Sequence, residues 1–218
     1  MSKKQHIIFV EGNIGSGKTT FLNRIPNFVN DCQIILEPLN IWQNLTDSDG
    51  KNILEHFYSD MNTHSYAFQS FAFLSRTQTH QKIDKSKKYI FIERSIYSDK
   101  EVFAKNCYET GIMPEIHYNL YNEWFKWMED ILKLKNTFHI YLRCQPEISF
   151  SRQKQRNRDE EKGLSLEYLK SIHNQHEEWL VDNSKCITLD SSKSFHKNDD
   201  DMNNILDELF EKIKNIDI

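Results

Sequence analysis

The sequence predicts an α/β fold built on a five-stranded parallel sheet flanked by helices, and three observations predict it. Five short apolar runs, residues 6–10, 33–37, 89–93, 138–142 and 186–190, are rich in Ile, Val, Phe or Tyr and too short for helices of ordinary length. Helical stretches separate them, and apolar strands alternating with helices imply a parallel sheet covered on both faces. The 218 residues contain six glycines and four prolines and show no linker or repeat, so one domain spanning 1–218 is expected.

The first run leads into "VEGNIGSGKTT" (10–20), which completes the pattern G-x-x-x-x-G-K-[ST] with Gly12, Gly17, Lys18 and Thr19. "KTTFLNRI" continues as a helix, the context that this motif requires. A phosphate loop over 12–20 therefore brings Gly12, Asn13, Ile14, Gly15, Ser16, Gly17, Lys18, Thr19 and Thr20 to a nucleotide such as ATP. Lys18 reaches the terminal phosphates, and the Thr19 hydroxyl suits Mg²⁺.

The second run ends in "ILEPLNIW" with Glu37, and the third in "IFIERSIYSD" with Glu93 and Arg94. Ligands of parallel α/β sheets bind at the carboxyl ends of the strands, so these three residues should converge near the loop. Guanine-reading N-K-x-D does not occur in the sequence, and the later strands do not end in a D-x-x-G sensor, which disfavours a hydrolytic switch. A kinase needs a carboxylate for the acceptor hydroxyl and cations for the transferred group. Glu37 and Glu93 can divide base and metal duties, with Arg94 orienting the acceptor. After the fourth run, "SRQKQRNRDEEKGLSLEYL" clusters Arg152, Arg156 and Arg158 in a segment, about 152–162, able to close over phosphates as an Arg-rich lid.

Composition narrows the partners. A net charge of −4 argues against non-specific nucleic-acid binding. The four cysteines form no C-x-x-C pair and read as reduced thiols of a cytoplasmic protein. No apolar run suits a membrane span, and the five residues before the first strand leave no room for a targeting peptide. His173 and His176 lack the H-E-x-x-H pattern and read as helix-surface or core residues. Helix 114–132 carries apolar residues on more than one face, as at a dimer interface or in packing within one subunit.

Taken in order, "EGNIGSGKTT", "EPLNIW", "NILEHFY", "FQSFAFLSR", "ERSIYSD", "RNRDEEKGLSLEYL" and "HEEWL" resemble the deoxynucleoside kinase family, over about residues 6 to 195. The resemblance implies a P-loop kinase fold and transfer from ATP, with Mg²⁺, to the 5′-hydroxyl of a deoxynucleoside. It implies that Glu37 is the base, with Arg94 beside it, and that Glu93 serves the metal. Tyr58 and Glu161 would hold the sugar 3′-hydroxyl. Trp42, Leu54, Phe57, Phe68 and Phe103 would wall the base, and Gln69 would read its edge. Arg152, Arg156 and Arg158 match the lid, and Asp190 falls where backbone cradles the donor base. Arg76 and Asp99 match members that take deoxycytidine or purines over thymidine. A homodimer through helix 114–132 and the helix around 63–83 is also implied. The sequence departs from the family at Leu39, often Val, and at Asn157, often Gly. A thymidylate-type monophosphate kinase and a catalytically silent P-loop regulator are the alternatives.

Overall fold

The computed structural model describes residues 5–134, 137–192 and, toward the C-terminus, 200, 203–204, 206–208 and 210–211. All five apolar runs are strands: His6–Glu11 (β1), Cys32–Ile35 (β2), Tyr89–Glu93 (β3), Thr137–Arg143 (β4) and Cys186–Asp190 (β5). They form one parallel sheet in the order β2-β3-β1-β4-β5. β2 stops two residues short of the expected 33–37. Its one neighbour is β3, and the pairing ends at Ile35 against Ile92. One residue past β3 the chain turns into a left-handed conformation at Arg94 (φ 58°), so Glu37 has no strand residue opposite it.

β1 lies at the centre, with Ile8, Phe9 and Val10 fully buried. Successive strand residues face opposite sides. Ile8 and Val10 pack with Phe21 and Leu22 of α1 (Lys18–Arg24) and with Phe91, Ile140 and Leu142. Ile7 and Phe9 join Ile35, Ile90 and Ile92 on the other side. Each such side chain, fully buried, contributes about 1.5–3 kcal/mol.

Three helices build the wall beside the sheet's C-terminal edge: α2 (Leu39–Asn44), α3 (Ile53–Ser59) and α4 (Met61–Thr79). α3 starts at a reciprocal cap, in which the Asn52 side chain accepts from Glu55 N at 3.0 Å and Glu55 accepts from Asn52 N at 2.7 Å. After β3 come α5 (Ile96–Ser98), a π-helical stretch (Asp99–Ala104) and α6 (Lys105–Glu109). The periodicity gave no sign of this π stretch, a feature common at functional sites. The remaining helices are α7 (Glu115–Leu132), α8 (Pro146–Arg156) and α9 (Leu166–Leu180). α8 ends at Asn157 with φ 52°, which explains why glycine suits that place and why Asn, tolerant of left-handed backbone, can stand in.

α7 buries Tyr121 and Phe125 against Phe73. Its opposite side leaves Ile116, Leu120, Trp124, Trp127 and Ile131 exposed, Ile116 by 71 %. Among the described residues nothing covers that stripe. Among the described residues no cysteine forms a disulfide. His173 is partly buried, and His176 is fully buried and stacked on Tyr141. Burial pushes the His176 imidazole down to about 3, so it is neutral. Among the described residues no helix is long and apolar enough to cross a membrane.

Candidate active site

A cleft of about 660 Å³ opens at the C-terminal ends of β1, β2 and β3. Most of the expected site residues line it. Ile14, Gly15, Gly17, Lys18, Thr19 and Thr20 come from the phosphate loop, and Gly12, Asn13 and Ser16 sit buried behind them. The loop needs glycine at two points of close approach. A Cβ at Gly12 would lie 2.8 Å from the Leu142 carbonyl, and one at Gly15 would strike the Ser149 carbonyl; both have positive φ. Lys18 donates to the carbonyls of Asn13 at 2.8 Å and Gly12 at 3.1 Å. Burial, then the nearby Arg94, pushes its ammonium down to about 7. A polyanion beside it would restore full charge.

The Thr19 hydroxyl donates to Glu93 Oε1 at 2.8 Å. These are hard oxygen donors side by side, the chemistry that Mg²⁺ takes. Glu37 stands across two guanidiniums. Arg94 Nη1 reaches its Oε1 at 2.7 Å, and Arg76 Nη2 reaches the same oxygen at 2.9 Å. Burial pushes the Glu37 carboxyl up, but Arg94, Arg76 and Lys18 outweigh it and hold it well below the usual range. Arg94 is placed by its left-handed backbone, a conformation that costs on the order of 1–2 kcal/mol for a residue with a Cβ. Its amide donates to Val10 O at 3.0 Å, and its guanidinium lies 4.9 Å over the Phe103 ring.

Arg76 is 1 % exposed and forms a junction whose reach to Glu37 the sequence did not reveal. Besides Glu37 it donates to Asp99 Oδ2 at 2.8 Å and to the Glu93 carbonyl at 3.0 Å. Burial pushes Asp99 up to about 6, against the pull of Arg76.

Trp42, Leu54, Phe57 and Phe68 pack as one buried cluster and also face the cleft, so core and wall are the same side chains. Phe57 and Phe68 stack at 4.6 Å, and Trp42 Nε1 donates to Ser75 Oγ at 2.7 Å. Gln69, 1 % exposed, lines the same space with Nε2 3.9 Å from Cys107 Sγ. Tyr58 and Glu161 both line the cleft. Burial raises the Tyr58 phenol well above its ordinary value, and Glu161 adds to this. Arg156 donates to Glu161 at 2.7 Å and Arg158 at 3.4 Å, which links the expected phosphate and sugar residues into one unit.

Arg152 also lines the cleft and donates to the Ser191 and Ser192 carbonyls at 2.8 and 3.0 Å. Asp190 is exposed at the end of β5, outside the cleft lining. The sequence reading missed Leu36, Ala72, Gln155 and Tyr168, which with Leu39 complete the lining. Tyr168 had a signal, since it stands in the quoted stretch "SLEYL". It also missed a latch in which Gln43 donates to Glu160 of the lid at 2.8 Å.

The model of the deoxynucleoside kinase family matches residues 8–214. A probable deoxycytidine kinase of fowlpox virus (strain NVSL) is 37 % identical over 179 residues, covering 82 % of this chain and 73 % of its own length. Mitochondrial thymidine kinase 2 of Homo sapiens is 38 % identical over 182 residues, covering 84 % and 67 %. Deoxycytidine kinase of Rattus norvegicus is 36 % identical over 194 residues, covering 80 % and 75 %.

Proposed function

The chain belongs to the deoxynucleoside kinase family, and from that premise we propose how its cleft moves the γ-phosphoryl group of ATP to the 5′-hydroxyl of a deoxyribonucleoside in nucleotide salvage. One observation carries the reading. Both guanidiniums bond to Glu37 Oε1, so Oε2 is left for an acceptor hydroxyl in a cleft shared with Lys18. Glu37 accepts the hydroxyl proton as the oxygen attacks. Phosphoryl transfer passes through a loose transition state, so this proton moves late and positioning carries much of the rate. Lys18, Arg152, Arg156 and Arg158 stabilise charge on the transferred group. Thr19 and Glu93 would hold Mg²⁺, which would supply charge neutralisation at the phosphates of bound ATP.

Tyr58 and Glu161 take the 3′-hydroxyl, and the Tyr58 ring crowds a ribose 2′-hydroxyl. Trp42, Leu54, Phe57, Phe68 and Phe103 sandwich the base, and Gln69 reads its edge. The relatives divide between deoxycytidine and thymidine kinases at nearly equal identity, so identity does not choose the base. The buried Arg76–Asp99 pair supports deoxycytidine, deoxyadenosine or deoxyguanosine over thymidine, because it fills volume that a thymine methyl needs. Release of ADP from ATP with each of the four deoxynucleosides tests this. Thymidine is expected to have the lowest kcat/KM, and a chain that favours thymidine would refute the pocket reading.

Arg152→Ala is expected to lower kcat about 100–1,000-fold, the range of a lost charge-stabilising contact. The KM for the nucleoside should stay within about threefold, since the lost contact is realised at the phosphates. Steady-state kinetics with each substrate varied in turn checks the split. Unchanged kcat with weakened nucleoside binding would remove Arg152 from the phosphate side.

The exposed apolar stripe of α7 supports a homodimer in which α7 and α4 of two copies form a helix bundle. The double change Trp124→Glu and Trp127→Glu should halve the mass read by light scattering. An unchanged mass would refute this interface. A cytoplasmic location without nucleic-acid partners completes the proposal; the dispersed negative charge and four cysteines that form no disulfide support it, and cell fractionation tests it.

A further inference from the structure

Behind the phosphate loop lies a buried carboxylate that the transfer chemistry does not use. Glu11, the last residue of β1, is 0 % exposed, and neither of its oxygens meets full hydrogen-bond geometry with a described residue. Its nearest polar neighbours are His139 of β4, with Nδ1 at 3.4 Å, and Ser95, the N-cap of α5. The His139 ring packs against Phe9 and Trp179, at ring distances of 5.4 and 5.2 Å, and its Nδ1 has no other hydrogen-bond partner among the described residues. An isolated buried carboxylate is strongly disfavoured, so the three groups form one electrostatic unit.

Two chain segments that build the cleft leave from this unit. Glu11 precedes Gly12, whose carbonyl accepts from both Lys18 and Arg94. Ser95 follows Arg94, the left-handed residue that sets the direction of its own guanidinium and of the chain leaving Glu93. We propose that Glu11 is a positioning residue for phosphoryl transfer: held by His139 and Ser95, it fixes the first turn of the phosphate loop and the Arg94 turn in one relative geometry. It touches neither substrate. The effect passes through Lys18 and Arg94, which a small shift of either segment would misplace.

This inference rests on the kinase reading, and the test separates the two. Glu11→Gln keeps shape and removes charge. The expected result is a kcat lowered about 10-fold or more, because small misplacements of reacting groups are costly. KM for the deoxynucleoside should stay within about twofold, and ATP affinity read by calorimetry should fall with kcat. His139→Gln should act alike, and the double variant should lose no more than the worse single, since both changes break one contact. Unaltered kcat and ATP affinity in a folded Glu11→Gln protein would overturn the proposal. So would a double variant whose losses multiply. If Glu11→Gln does not fold, His139→Gln decides by the same two readouts. A wild-type chain that binds ATP but phosphorylates no deoxynucleoside would defeat the acceptor reading, and the ATP-affinity arm would still judge Glu11.

Discussion

Glu37→Gln lowers kcat about 100-fold or more, the lower range of general-base effects, and leaves ATP affinity unchanged. The reason lies in which oxygen is already taken. Arg94 and Arg76 both donate to Oε1. A glutamine in this place must turn its single oxygen to the guanidiniums, since an amide NH₂ facing two cations is repelled. The NH₂ group then stands where Oε2 stood. It donates to the 5′-hydroxyl instead of accepting from it, which misorients the attacking oxygen and removes the proton acceptor. The check is kcat under conditions where chemistry limits the rate, with ATP binding measured separately. An unaltered kcat would remove Glu37 from the mechanism.

Arg76→Met destabilises the fold by about 3–5 kcal/mol, and Asp99→Ala by clearly less. The asymmetry follows from the junction. Without Asp99, Arg76 keeps Glu37 and the Glu93 carbonyl. Without Arg76, Asp99 loses the guanidinium that holds its buried carboxylate, while Glu37 still has Arg94. The double variant removes both charges and opens the volume beside Gln69. Thymidine kcat/KM relative to deoxycytidine should rise, while total activity falls because Glu37 loses a partner. Urea unfolding of the three variants, with kcat/KM for all four deoxynucleosides, measures both effects. Equal destabilisation by the two single changes would mean that Arg76 does not bridge the two carboxylates. A double variant with an unchanged thymidine ratio would clear the pair of any role in base choice.

Much of this architecture was legible in the sequence because its signals are local. The strands are apolar runs, and the phosphate loop is a fixed pattern whose glycines answer to named clashes at Leu142 and Ser149. The convergence of Glu37, Glu93 and Arg94 followed from the rule that such sheets bind ligands at strand ends. What escaped depends on distance in space. No spacing announces that Arg76 reaches Glu37 across 39 residues, or that Gln43 meets Glu160 across 117. The early end of β2 was set by its neighbour's turn at Arg94, not by its own residues. The π-helical stretch at Asp99 leaves no periodic signature over six residues. The wall aromatics were ambiguous between packing and binding, and Trp42, Phe57 and Phe68 lie both in the buried cluster and in the cleft lining.

The central claim is that a neutral sugar hydroxyl is presented to Glu37, and the identity of the phosphorylated product tests it most directly. The protein is incubated with ATP and Mg²⁺, in one reaction with deoxycytidine and in another with deoxycytidine monophosphate, and the products are assigned by phosphorus NMR. The account predicts a 5′-monophosphate from the nucleoside and no diphosphate from the monophosphate. A diphosphate formed only from the monophosphate, or a phosphate carried on the 3′-oxygen, would contradict it.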